Sequence, residues 1–256
     1  MSPEITPDEL LLLLSEELSH VSGSAGMVFD ADGTLWSGDV GDDLFFHAVE
    51  HDLLRDEASR ALAHLAGAHG LETRGTPSEL ALSMYEAQTA GRFPERALYE
   101  MMAWCFAGLR VRELTEIAHE ALAERGFKGR RLAALTPVLA WARAAGVQTV
   151  MVTASPQPVA EVAGATCGFL PEQIEGCRPL VRDDVVQPAL SAPIPYGQEK
   201  ARAGRRLLGE TVCLAAFGDS AFDFDMLELA RLPVAVRPKP DLLGRLSALD
   251  RALILS

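Results

Sequence analysis

Three apolar residues, Met27-Val28-Phe29, run directly into Asp30, and a second acid, Asp32, stands just ahead of Gly33-Thr34-Leu35. A short apolar run closed by a turn signal reads as a buried strand of a parallel sheet. Asp30 then falls at the carboxyl end of that strand, the edge where open α/β sheets hold their ligands. Gly33 lets the chain turn away. Two carboxylates packed this tightly repel each other unless something positive joins them. A hard cation such as Mg²⁺ suits them, because it takes oxygen ligands and often only one or two carboxylates. Asp-x-Asp-Gly is also the pattern of a turn or cap before a helix, so this segment alone leaves both uses open.

The rest of the chain supplies the alternation that a parallel sheet needs. Leu10 to Leu14 reads as an amphipathic helix with Asp8 and Glu9 in its first turn, and Ser22–Gly26 as a flexible turn. From Trp36 to about Arg131, helical periodicity replaces strand-like runs. Five apolar faces follow one another, led by Leu44, Leu62, Met84, Met101 and Leu114, with Gly67, Gly70 and Gly126 as stops. The α/β pattern resumes with a helix over 132–145, a strand over 147–152 and a helix over 156–163. A hairpin is expected around Asp183-Asp184, then a helix over 198–208, a strand over 212–217, a helix over 222–230, and strands at 234–236 and 252–255. The expected fold class is α/β, with a Rossmann-like parallel sheet built from residues 1–35 and 132–256 and an all-helical cap over residues 36–131.

Composition narrows the partners. A net charge of −13 over 256 residues argues against nucleic acid, whose phosphates need a Lys/Arg surface. The Leu10–Leu14 run is too short to span a membrane and has acids on both sides. Met-Ser-Pro-Glu-Ile lacks the basic start of a secretion signal. Cys105, Cys167, Cys177 and Cys213 are scattered without a C-x-x-C spacing, so buried free thiols in a reducing cytoplasm are expected.

Three later segments add chemistry. Thr153-Ala154-Ser155-Pro156 ends a strand and opens a helix, which makes either a phosphate seat or an ordinary Ser/Thr cap. Lys200 stands at the start of a helix, and lysine by itself is mostly a surface residue. In Phe217-Gly218-Asp219-Ser220-Ala221-Phe222-Asp223, a strand again ends in Gly-Asp, and Asp223 follows one helical turn on, facing the same way. Asp225 points elsewhere by helical phase.

Taken together and in this order, these segments resemble the haloacid dehalogenase superfamily. Its marks are hhhDxDGT, a Ser/Thr-ended strand, a lysine and GDSxxDxxML, matched here by Val28–Leu35, Val150–Thr153, Lys200 and Gly218–Leu227. The helical insert after the first motif lies where that superfamily places helical caps. Thr153–Pro156 and Val234–Pro238 look most like its phosphoserine-phosphatase branch. The resemblance implies a Mg²⁺-dependent phosphatase of small phosphomonoesters. Asp30 would attack phosphorus and form an aspartyl-phosphate, and Asp32 would serve as acid and then base. Asp30, the Asp32 carbonyl, Asp219 and Asp223 would hold Mg²⁺ and its water. Thr153, the backbone of Ala154 and Ser155, and Lys200 would bind the transferring oxygens. Asp32 also argues against the dehalogenases proper, which lack an acid there.

Substrate choice is expected to come from the cap. Asp39 lies nine residues after Asp30, where phosphoserine phosphatases hold an ammonium, yet it also fits a cap for the helix that follows. Those enzymes bind the substrate carboxylate with a cap arginine, and Met102 falls at that position, with Arg92, Arg96 and Arg110 nearby. Trp36 and Trp104 are candidates for covering a cation, or for plain packing. A phosphotransferase or mutase, phosphoserine phosphatase proper, and a binding protein on a dead scaffold are the alternative readings. The chain is expected as a monomer or homodimer.

Overall fold

The computed structural model describes residues 2–255. A short strand β1 (Glu4–Ile5), helix α1 (Pro7–Ser19) and strand β2 (Ala25–Phe29) come first. Thr6 and Glu9 close a reciprocal capping box that starts α1. Five helices then follow without a strand: α2 (Val40–Glu50), α3 (Asp56–Ala68), α4 (Pro77–Thr89), α5 (Glu95–Trp104) and α6 (Val111–Glu124). Asp39 caps α2, and Thr76 with Glu79 boxes the start of α4. Helix α7 (Thr136–Ala144) leads into β3 (Gln148–Pro156), α8 (Gln157–Ala165) and β4 (Ile174–Cys177). A hairpin of β5 (Pro179–Arg182) and β6 (Val185–Leu190) precedes α9 (Gln198–Leu208), β7 (Val212–Gly218) and α10 (Phe224–Leu227). Strand β8 (Leu232–Val236), α11 (Pro240–Leu243) and β9 (Leu253–Leu255) complete the order.

Seven strands form one sheet in the order β1-β9-β8-β7-β2-β3-β4, every pair parallel. Both faces are covered, which explains the unbroken apolar run at β2. Met27 and Phe29 face one side, where Phe29 stacks on Phe217 with centroids 4.4 Å apart. Val28 faces the other, among Val150, Val152, Ala203 and Ala216. The fold is the α/β class that the alternation implies.

Three local differences have physical causes. The expected helix over 132–145 begins only at Thr136, because Pro137 sets the first turn. Strand β3 runs on through Thr153 to Pro156. The expected helix over 222–230 shrinks to a 3₁₀ turn at Ala221–Asp223 and one turn of α10. There, the Asp223 carboxylate accepts the Asp219 and Ser220 N–H groups and fixes a tight turn in place of a long helix.

The hairpin forms where it is expected. Asp183 and Asp184 take φ of 51° and 65°, the paired left-handed conformation of a two-residue type I′ turn. Its far strand bonds to the helical insert: Gly108 N–H donates to Val186 O at 2.9 Å, and Val186 N–H donates to Leu109 O at 2.9 Å. No helix among the described residues is long and apolar enough to cross a membrane. All four cysteines are free thiols, Cys105 and Cys177 buried and the other two partly exposed.

Candidate active site

Strands β7, β2 and β3 lie side by side, so their carboxyl ends bring Asp219, Asp30 and Thr153 to one edge. Asp30, Asp219 and Asp223 are buried, and their carboxylate oxygens lie within 4.8 Å of one another. Lys200, buried at the start of α9, donates to Asp30 Oδ1 at 2.5 Å and to Asp223 Oδ1. Thr34 Oγ1 donates to the other oxygen of Asp30 at 2.9 Å. Gly33 has φ of +85°, and the Asp219 carboxylate occupies the space a Cβ there would need. Only glycine meets both conditions.

Three acids against one buried lysine leave negative charge in excess. The Asp30 carboxyl is pushed up to about 8 by burial, with the Asp223 and Asp219 charges adding and Lys200 opposing. Burial also raises Asp219, against the pull of Lys239, whose Nζ lies 3.0 Å from Asp219 Oδ2. Burial works against the Lys200 charge, but Asp223 and Asp30 outweigh it and hold its pKa up. A carboxyl whose folded pKa lies above its unfolded value favours the fold while protonated. Without divalent cation, the stability contributed by Asp30 is therefore full below about pH 4 and lost progressively as pH rises to about 8. Thermal melts of the chelated protein across that range are expected to fall with pH. A cation that the site binds should flatten the slope, and a chelated protein whose Tm rises with pH would contradict this electrostatic picture.

Asp32 takes four donors. Trp36 Nε1 donates to Oδ1 at 2.7 Å and the Val40 N–H at 2.9 Å. Ser155 Oγ donates to Oδ2 at 2.6 Å and Thr153 Oγ1 at 3.3 Å. The two hydroxyls of the expected phosphate seat thus hold Asp32 in this state. Ser155 N–H donates to Thr153 Oγ1 at 3.1 Å, and Ala154 lies between them on the cavity wall. Of the two readings of the tryptophans, the structure shows packing. Trp36 is fully buried, packs edge-on against Phe127 at 5.3 Å and offers its N–H, not its face. Trp104 is buried away from the cavity lining.

A family model described as haloacid dehalogenase-like hydrolase matches residues 27–228. The chain belongs to the haloacid dehalogenase-like hydrolases. Among curated proteins there is no significant match. Solved structures share the fold. A protein of unknown function from Bordetella pertussis Tohama I is 20% identical, with a TM-score of 0.67 over 92% of this chain and 99% of that one. A functionally unknown protein from Anaerococcus prevotii DSM 20548 is 15% identical, with a TM-score of 0.70 over 99% and 92%. A phospho-aspartyl intermediate analogue of phosphoserine phosphatase is 15% identical, with a TM-score of 0.52 over 91% and 94%.

Above its carboxylate cluster, the hydrolase has a cleft of about 250 Å³ between the sheet edge and the insert. Asp30, Asp32, Asp39, Thr153, Ser155, Lys200 and Asp219 all face it, while Asp223 lies just beneath. Met102 lines it too, at the position where an arginine was sought. Arg92, Arg96 and Arg110 are exposed and do not line it; Arg96 pairs with Glu100 and Arg110 with Asp184. The far wall is Glu95, Tyr99, Tyr196 and Phe222, none of which the sequence singled out. Tyr196 and Tyr99 both donate to Glu95, at 2.7 and 3.2 Å, and Tyr196 packs on Phe222 at 4.3 Å. Lys239 was also missed. Its nearness to Asp219 depends on β8 returning beside β7, which no local pattern announces.

Proposed function

We propose that the hydrolase is a Mg²⁺-dependent phosphatase of a small phosphomonoester, acting through an aspartyl-phosphate on Asp30, with a preference for substrates that carry a positive charge. The observation that carries this reading is the convergence of the Asp30, Asp219 and Asp223 carboxylates under Lys200 at the floor of a cavity. The names of some structural neighbours, phosphoserine phosphatases, support the reaction class.

The donor set fits a hard cation, since all three side chains offer oxygen and their charge exceeds that of the nearby lysines. Asp30, Asp219 and the Asp32 carbonyl would hold it, with Asp223 behind. Bound there, Mg²⁺ would neutralise the nucleophile's repulsion of a phosphate dianion. The chain's own groups do the rest. Asp30 presents one oxygen to phosphorus while Thr34 fixes the other. Lys200 places a point charge beside the presented oxygen, Oδ1, which suits a phosphoryl group whose charge moves between oxygens. Asp32 gives a proton to the leaving oxygen and later takes one from water. A hydroxyl both donates and accepts, so Ser155 and Thr153 can serve Asp32 in either protonation state. Their N–H and O–H groups seat the transferring oxygens. The helical insert closes the cavity against water.

The preference for a cation rests on Asp39. Its carboxyl is raised well above the usual range by burial and by the Asp32 and Asp42 charges, even though backbone N–H groups hold it down. An ammonium on the substrate would relieve that cost. Glu95 and the rings of Tyr99, Tyr196 and Phe222 extend the same chemistry, since aromatic faces attract cations. The basic residues lining the cavity are Lys200 and Lys239, both engaged with acids, so a substrate carboxylate finds no arginine. Phosphorylated amino alcohols and choline-like esters therefore fit better than phosphoserine.

A panel of phosphorylated amines, sugars, nucleotides and glycerol phosphate tests both levels. Phosphate release is expected to require Mg²⁺ and to stop on chelation; full activity after exhaustive chelation would overturn the assignment. Asp39 Oδ1 caps α2 by accepting the Asp42 N–H at 3.0 Å, and asparagine caps equally well. Asp39→Asn should therefore keep its cap and hold or raise its Tm, since a carboxyl that burial disfavours is removed. It should lose roughly 10- to 150-fold in kcat/KM on the amine substrate, the value of about 1.5–3 kcal/mol for a charged hydrogen bond, and little on glycerol phosphate. An equal loss on both substrates would end the cation reading and leave the phosphatase reading intact.

A further inference from the structure

On the opposite side of the insert, His47 and His51 stand four residues apart at the end of α2, a spacing that puts both rings on one helix face. Glu124, the last residue of α6, approaches them from across the helix pair. Its Oε2 lies 2.5 Å from His47 Nδ1 and 3.3 Å from His51 Nε2. The three ligand atoms lie within 4.8 Å of one another. On the far edge of the His47 ring, Nε2 lies 3.8 Å from Glu120 Oε2.

We propose that His47, His51 and Glu124 bind a divalent cation of the zinc class and that the bound ion staples the first and last helices of the insert. The reason is the convergence of three ligand atoms on one point. A neutral imidazole carries one N–H and one lone pair, while a carboxylate only accepts. In one tautomer the buried His47 ring donates its Nδ1–H to Glu124. In the other the N–H sits on Nε2, towards the exposed Glu120 3.8 Å away, and the Nδ1 lone pair is free for a cation. The second arrangement is the outer-shell pattern of ligating histidines, whose other nitrogen donates to a carboxylate. His51 Nε2 converges on the same point, which the hydrogen bond of the first tautomer has no need of.

Two imidazoles and one carboxylate suit zinc, and three protein ligands leave its fourth position to water. Bond lengths of about 2.0–2.2 Å put tetrahedral ligand atoms roughly 3.3–3.5 Å apart. Glu124 therefore needs to withdraw from His47 by about an ångström to admit the ion. Its side chain is 44% exposed and ends a helix, so that move is open to it. The neighbouring Glu50 is already paired with Arg125.

The placement gives the site a consequence. Gly126 follows at once in the left-handed region, then Phe127, whose ring packs on Trp36, which in turn holds Asp32. An ion at the end of α6 steadies the segment that returns the chain to the sheet.

Metal-stripped full-length protein in excess Mg²⁺ is titrated with Zn²⁺ by equilibrium dialysis, with Tm and the visible spectrum of the Co²⁺ form as parallel readouts. The carboxylate cluster around Asp30 can also take zinc, so variants assign the equivalents. His51 and Glu124 lie at the surface, and His51→Ala and Glu124→Gln should fold. Each is expected to remove one zinc equivalent and the histidine-type cobalt spectrum, whereas Asp219→Asn can remove only the equivalent held by the carboxylate cluster and should leave the histidine-type spectrum in place. Glu120→Gln should weaken the histidine-bound equivalent by about 10- to 100-fold. Unchanged zinc stoichiometry and affinity in His51→Ala would overturn the proposal. So would a His47 ring that stays doubly protonated, by NMR, through the zinc titration.

Discussion

Asp30→Asn is expected to lose turnover by several orders of magnitude and to gain stability at the same time. An amide cannot displace the ester oxygen, and removal of a nucleophile from a concerted site costs on the order of 10⁴ to 10⁶ in kcat. The substitution is isosteric: the amide oxygen can accept from Lys200, which only donates, while the Thr34 hydroxyl turns to accept from the amide N–H, so the strand end keeps its shape. What changes is charge. One of three buried acids becomes neutral, and the penalty that Asp30 brings above its pKa of about 8 disappears. Chelated Asp30→Asn should therefore melt above the chelated parent at pH 8.5 and close to it at pH 4. Steady-state kinetics on the best substrate of the panel, with melts at both pH values, make the check. Near-normal turnover would show that another group attacks phosphorus.

Lys200→Met carries the next largest effect, and its sign is opposite on stability. Removing one partner of a buried ion pair leaves its carboxylates uncompensated, at a cost of about 3–5 kcal/mol. Lys200 faces two, Asp30 and Asp223. In a chain of this size, each kcal/mol moves Tm by roughly 2–4 °C, so a fall on the order of 10 °C is expected. The fall should shrink as pH drops below about 8, where Asp30 takes up a proton, and shrink again with Mg²⁺. Scanning calorimetry at two pH values, with and without Mg²⁺, measures it. An unchanged Tm would mean that Lys200 does not neutralise these acids.

These two residues were legible in the sequence because their chemistry sits on strand and helix ends. The Asp30 and Asp219 strands announce themselves as apolar runs that stop in an acid, and the sheet order puts those stops together. Lys200 followed from its place among the other motifs. Legibility failed where the contact depends on which elements become neighbours. Lys239 is an ordinary basic residue until β8 lies beside β7. Glu95 and Tyr99 share helix α5, but Tyr196 lies 101 residues beyond Glu95, and its hydrogen bond to Glu95 exists only once the insert sits over the sheet edge. Trp36 is a different case. Cation cover and plain packing were both open, and four residues after Asp32 it packs and also offers an N–H to that carboxylate, a turn-level relation that spacing could have revealed. The helix expected over 222–230 was read from apolar periodicity, whereas Asp223 spends its side chain on the backbone of the turn before it.

The hairpin of β5 and β6 belongs by sequence to the sheet half of the chain, yet its backbone is bonded to Gly108–Val111 of the insert. Anyone transplanting this helical insert onto a related core would cut in the wrong place by taking one continuous segment. Residues 36–131 moved alone would leave the Gly108 N–H and Leu109 carbonyl without partners and strip Val186 from its packing. A workable chimera needs two exchanged segments, the insert and Pro179–Leu190, with crossover points in the sheet on both sides of each. The unit of exchange is thus set by hydrogen-bond continuity and not by contiguity along the chain.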